Sequence, residues 1–228
     1  MPSKLQELLA SARVWDPAET ELPPFPALDA EAAPDDPVAL FTEWFAAVLA
    51  AGQREPHVVC LATADADGPD ARMLTLHGAD ERGWLVASHS GSRKGRQLAA
   101  LPRAALCFHW PVLGRQVRVR GSVRTLPRRE AQADLHARST GALAAALAGP
   151  QSEPLDSAAT LAEASRTAWE RARREPSAEV PSWTVYAVRP WEVEFFQGER
   201  DRRHLRLRYH RPPTGHPAGP WSRELLWP

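Results

Sequence analysis

Cysteine, methionine and tyrosine are scarce in this chain, with two of each among 228 residues. The two thiols, Cys60 and Cys107, sit in separate apolar runs, which excludes a disulfide framework and fits buried thiols in a reducing compartment. No CxxC, HExxH or similar spacing of ligating side chains occurs, so no metal is expected. Charge of one sign is also missing: 28 basic and 28 acidic residues cancel, which removes the broad field that nucleic-acid and membrane-surface binding exploit. No apolar run approaches the ~18 residues of a membrane span, and the opening MPSKLQELLASARVW lacks the apolar centre and cleavage site of a secretory signal. The expectation is a cytoplasmic protein with neither nucleic-acid nor membrane partners. Its 43% hydrophobic residues suffice for one large core.

What is present changes character along the chain. Residues 3–15 can form a short amphipathic helix, and prolines and acids dominate 16–36, so 1–36 reads as an arm and linker ahead of a domain over 37–228. Asp36-Pro37 starts a helix with Leu40, Phe41, Trp44, Phe45 and Val48 on its apolar face. The period then falls to two. Short strands are predicted over 57–63, 71–77, 84–88, 104–110 and 116–123, with close turns at 65–69 and 78–83, as in an antiparallel meander. Helices over 127–138 and 157–174 follow, then strands over 183–189, 191–197, 205–210 and 223–227. Strands on both sides of the helical insert indicate one mostly β domain, an antiparallel barrel with flanking helices.

The most chemical stretch is Gly91-Ser92-Arg93-Lys94. Ser92 is an N-cap candidate for a helix over 93–101, which places Arg93 and Lys94 in a first turn where free N–H groups and the helix dipole already favour an anion. Two cations there oppose the dipole: they are either solvated charges on a surface helix or placed to hold a phosphate. The strand at 116–120 puts Gln116, Arg118 and Arg120 on one face, which is either a solvated strand face, the commoner case for this pattern, or a donor and acceptor set for a heterocycle edge.

Arg72 to His77, Ser88, the Gly91–Lys94 turn, Arg115-Gln116-Val117, Gln151-Ser152, Glu194-Phe195-Phe196-Gln197-Gly198 and the stretch from Arg202 to Arg206 occur in one order. In that order and spacing the chain resembles the pyridoxamine 5'-phosphate oxidase family. The resemblance implies an FMN-binding split β-barrel and a homodimer with two flavins in clefts between subunits. It also implies flavin contacts at Arg72, Met73, Leu74, Thr75, Ser88, Arg93, Lys94, Gln116, Gln151, Ser152, Phe196 and Arg206. Gln151 and Ser152 match the pair that reaches across the dimer interface. Ala87 and Phe196 stand where the family carries an aromatic and a tryptophan.

On the substrate side the family grips a phosphate with lysine, tyrosine, arginine and serine. Here those places hold His77, Asp134, Arg138 and Ala142. The pair facing the substrate ring is kept as Arg202 and His204, the expected catalytic residues. Arg202 would stabilise negative charge and His204 hold or relay a proton. The resulting expectation is an oxidase that passes hydride from a small, non-phosphorylated ring to FMN and then to dioxygen, in the manner of the family's phenazine-biosynthesis oxidases. The alternatives are a true pyridoxine/pyridoxamine 5'-phosphate oxidase and a non-catalytic flavin carrier.

Overall fold

The computed structural model describes residues 4–11, 30–31, 33–199, 202–212 and 219–228. A short helix α1 (Lys4–Ser11) stands ahead of α2 (Pro37–Ala50); the rest of the helix expected over 3–15, and most of the linker, lies outside the described residues. Asp36 starts α2 by accepting the Val38 N–H at 3.0 Å. Then come β1 (Val58–Asp65), β2 (Gly68–Asp80), β3 (Gly83–His89), α3 (Arg93–Ala100), β4 (Arg103–Trp110) and β5 (Arg115–Thr125). Three helices follow, α4 (Arg128–His136), α5 (Thr140–Leu147) and α6 (Ala158–Arg174), and then β6 (Trp183–Gln197), β7 (Leu205–His210) and β8 (Ser222–Leu226).

The strands run β3-β2-β1-β4-β5-β6 and close by pairing β3 with β6; β7 and β8 continue the sheet past the closure. The meander is broken once, after β3, where α3 carries the chain to the far side of β1; β4 to β8 then follow in chain order. Where the sequence pattern indicates two strands, over 183–189 and 191–197, the structure has the single strand β6. Its first half pairs with β3 and its second with β7, while β5 runs beside both. Pro190 sits where the partner changes, so its missing N–H interrupts neither ladder. The β5–β6 register shifts between Arg120 and Gly121, and a Cβ on Gly121 would lie 2.2 Å from the Arg189 carbonyl oxygen. Only glycine allows that approach.

Strand alternation sends Val59, Leu61, Leu106, Phe108, Val117, Val119 and Phe195 into the barrel, where α2 adds Leu40, Phe41, Trp44 and Val48. Phe41 lies 5.0 Å from Phe108 and Trp44 lies 5.2 Å from Phe195, centroid to centroid. Truncating any of these rings would cost about 3–5 kcal/mol. The outer face carries a row fixed by register across seven strands: Met73, Cys60, Cys107, Arg118, Glu194, Arg208 and Glu224. The cysteines are therefore partly exposed on this face rather than buried in the core.

Leu135, Leu143, Ala144, Ala146, Ala172 and Val180 form a separate core among α4, α5 and α6. Ala131 joins that bundle to the barrel by packing on Leu85, Ala87, Val185 and Ala187. The helix expected over 127–138 stops at His136, leaving Arg138 just beyond it. The sequence pattern shows no helix over 140–147 because its alanines leave no polar period, yet Ser139 caps one there by accepting the Ala142 N–H. Among the described residues no helix is long and apolar enough to cross a membrane, and no group of three His, Cys, Asp or Glu side chains is placed to hold a metal.

Candidate active site

At the start of α3, Ser92 Oγ accepts the Gly95 N–H at 3.2 Å and donates to the His89 carbonyl at 2.7 Å. Gly95 is required because a Cβ there would lie 2.2 Å from the Ser90 carbonyl oxygen. This seats the first turn of α3 against the end of β3. Lys94 is buried, and its Nζ donates to Ser88 Oγ at 3.2 Å and Gln151 Oε1 at 2.9 Å. Burial pushes the Lys94 pKa down, and Arg72 adds to the shift against the pull of Asp70.

Arg72 projects from β2 into the same region and donates to Thr63 Oγ1 at 2.6 Å, Gln97 Oε1 at 3.0 Å and the Leu61 carbonyl at 3.2 Å. It also pairs with Asp70 at 2.7 Å, and exposed Arg93 lies 3.3 Å from the same carboxylate. Two guanidinium groups thus share one acid, whose charge also reaches Lys94. A buried ammonium with neutral acceptors, two guanidinium groups and a helix N-terminus make a donor set that fits a phosphate monoester dianion. Sequence reasoning misses Gln97 and Thr63, which hold Arg72 in place; their polarity inside otherwise apolar runs is the available signal.

Next to this cradle a cavity of about 440 Å³ opens between β2, β3 and the helical bundle, lined by Met73, Leu74, Thr75, His77, Ser88, Arg138, Ala142, Gln151 and Trp183 among others. At one side Asp134 gathers three partners. His77 Nδ1 is 2.9 Å from its Oδ1, while Arg138 Nε and Trp183 Nε1 each donate to Oδ2 at 3.3 Å. Burial works to raise the Asp134 pKa, but the hydrogen bond and charge of His77, followed by those of Arg138, hold it at about 2. The anchor therefore contains a permanent carboxylate at neutral pH. His89 and Trp183 also line the cavity without having been predicted. His89 meets Ser182 Oγ at 2.8 Å, and burial, then Lys94, push its pKa down.

The remaining predicted residues form a second group. Gln116, Phe196 and Arg206 are consecutive partners across β5, β6 and β7. His204 lies 5.3 Å from the Phe196 ring, and its Nδ1 accepts the Glu199 N–H at 3.2 Å, so a neutral His204 carries its proton on Nε2. Arg206 is forked onto Glu194 at 3.0 and 2.9 Å and donates to the Trp227 carbonyl at 2.9 Å. Exposed Arg202 and Ser152 both adopt left-handed backbone, at φ 59° and 75°, a strain of about 1–3 kcal/mol of the kind that gathers at functional sites. Within one protomer β1 and β4 separate Thr75 from Gln116. Three strand spacings amount to about 14 Å. Gln151, expected at the interface, also touches Lys94 and Ser88 of its own chain, since the loop after α5 returns to β3.

Fold and site together define an FMN-binding oxidase on a split β-barrel. Residues 45–191 match the family model described as pyridoxamine 5'-phosphate oxidase, and residues 183–228 match the pyridoxine 5'-phosphate oxidase C-terminal dimerisation region, which supports a homodimer. The chain belongs to the pyridoxamine 5'-phosphate oxidase family. It is 44% identical over 196 residues to a pyridoxine/pyridoxamine 5'-phosphate oxidase of Salinibacter ruber, covering 85% of this chain and 90% of that protein. One from Pseudomonas paraeruginosa is 41% identical over 203 residues, with 86% and 90% covered. Among solved structures, PhzG from Burkholderia lata, in complex with tetrahydrophenazine-1-carboxylic acid, superposes with a TM-score of 0.80 at 29% identity, covering 90% of this chain and 98% of that one. A pyridoxamine 5'-phosphate oxidase-related, FMN binding protein from Nostoc punctiforme shares the fold, with a TM-score of 0.67 at 20% identity and coverage of 82% and 97%.

Proposed function

We propose that the chain is a pyridoxine/pyridoxamine 5'-phosphate oxidase acting as a homodimer, with residues 37–228 as the oxidase domain and 1–36 as an arm. The observation carrying this reading is that one cavity joins the cradle residues Ser88 and Gln151 to His77 and Arg138. One cationic end suits the cofactor phosphate and the other a substrate phosphate. The names of the relatives at 41–44% identity point the same way.

Lys94, Arg72 and Arg93 would hold the FMN phosphate, which outcompetes the neutral Gln151 amide for Lys94 by charge. Met73, Leu74 and Thr75 line the ring from one protomer. The partner's Gln116, Phe196 and Arg206 complete the cleft. When bound, FMN accepts a hydride from the substrate carbon and passes the electrons to dioxygen, giving hydrogen peroxide. Arg138 spends only its Nε on Asp134 among the described residues, which leaves its terminal nitrogens for a substrate phosphate. Arg202 would steady negative charge on the ring, and His204 Nε2 would hold the proton exchanged with it.

A second reading, a ring substrate without phosphate, is favoured by Asp134, whose charge faces the anchor. Peroxide release from purified, flavin-loaded dimer separates the two. A kcat/KM for pyridoxine 5'-phosphate at least 10-fold above that for pyridoxine supports the phosphate reading, and equal or reversed values overturn it.

A further inference from the structure

Cys60 on β1 and Cys107 on β4 are direct partners in the antiparallel register, and both are free, partly exposed thiols. Opposed residues of an antiparallel pair point to the same face, with Cα atoms about 4.5 or 5.5 Å apart, while a disulfide spans Cα separations of about 4.4–6.8 Å. In the closer, non-hydrogen-bonded pairing type the Cβ atoms come to about 4.5 Å, the upper end of the disulfide range, so a small strand adjustment lets the sulfurs meet. The flanking partners in the row are Met73 and Arg118. Thr75 and Gln116 lie two residues further along those strands, so the thiols sit between the two groups of flavin residues.

We infer that Cys60 and Cys107 are a peroxide-sensitive modification site, closing to a reversible intramolecular disulfide on the face where the flavin is held. The oxidant is hydrogen peroxide, and its supply by the protein rests on the oxidase reading above. Cys60 sulfur attacks one peroxide oxygen, breaking the O–O bond to leave a sulfenic acid and water. Cys107 sulfur then displaces the sulfenic oxygen as a second water. Two thiols give up two electrons and two hydrogens, and one peroxide becomes two waters. Burial pushes the Cys107 thiol up, Cys60 and Glu194 add to this and Arg118 opposes it, which makes Cys107 the resolving partner.

The test uses flavin-loaded dimer, stripped of reductant and given a few equivalents of hydrogen peroxide without substrate, so that it stands even if no substrate is turned over. Expected are the loss of both titratable thiols, an intact mass lower by two hydrogens, one peptide pair linking Cys60 to Cys107, and full reversal by dithiothreitol. Cys107→Ser should instead stop at a sulfenic acid trapped by dimedone. Two surviving thiols, oxygen added to both sulfurs, or a disulfide joining two protomers would each overturn the inference, and the wild-type mass alone decides should the variant fail to fold.

Discussion

Lys94 Nζ and Gln151 Oε1 lie 2.9 Å apart although 57 residues separate them in the chain. The contact ties the first turn of α3 to the loop after α5, and it gives a buried ammonium a neutral partner. Arg93 beside it is 59% exposed and already paired with Asp70. The two cations should therefore contribute unequally to cofactor binding.

Lys94→Ala should weaken FMN binding about 10- to 150-fold, the equivalent of losing a charge-assisted bond of roughly 1.5–3 kcal/mol. Arg93→Ala should cost under about 10-fold, because solvent and Asp70 already screen that charge. Flavin fluorescence titration of the apoprotein measures both. Equal losses would mean that Arg93 turns inward when the phosphate is present.

Gly95→Ala tests the seat of the same helix. The added methyl would lie 2.2 Å from the Ser90 carbonyl and 2.6 Å from that of His89, so α3 must lift. Overpacking of this kind costs about 1–3 kcal/mol. Thermal unfolding should drop by several degrees, and flavin retention should fall with it even though no cation has changed.

The cradle was readable because it is local: a cap, a glycine and two cations fall within a few residues, and their meaning depends on one helix turn. The Asp134–Arg138 pair was readable for the same reason, being i,i+4. His77 joining Asp134, the Thr63–Gln97–Arg72 network and the opposition of Cys60 to Cys107 depend on which strands pair and in what register, and alternation alone does not supply that. The alanine-rich α5 hid because a helix buried among helices needs no polar stripe. The contact of Gln151 with Lys94 is likewise hidden, because it depends on the path of the loop after α5 and not on any local pattern.

Acid should reveal the Asp134 cluster in stability. Its folded pKa of about 2 lies below the ordinary 3.8, so the ionised form favours folding at all pH values above the unfolded pKa. The contribution, about 2 kcal/mol, disappears as pH falls from near 4 through about 2. Urea unfolding of wild type and Asp134→Asn should therefore differ most above pH 5, with the gap closing towards pH 2. A gap independent of pH would show that shape, not charge, holds His77 and Arg138.

The same substitution should reverse sign in catalysis. Asp134 is ionised and lies within hydrogen-bonding distance of Arg138 Nε, so a phosphate arriving on Arg138 meets a like charge. At about 5 Å and an effective dielectric near 20 that repulsion is roughly 3 kcal/mol, and the neighbouring cations offset part of it. Asp134→Asn keeps an acceptor for Arg138 or Trp183 while removing the charge. For pyridoxine 5'-phosphate, kcat/KM should rise about 10- to 100-fold, mostly through KM, because the interaction acts on the bound phosphate and not on the reacting carbon. For pyridoxine, which lacks the phosphate, it should change less than about 3-fold. A fall with both substrates would instead assign Asp134 to holding the ring-binding geometry, and would favour a natural substrate that carries no phosphate.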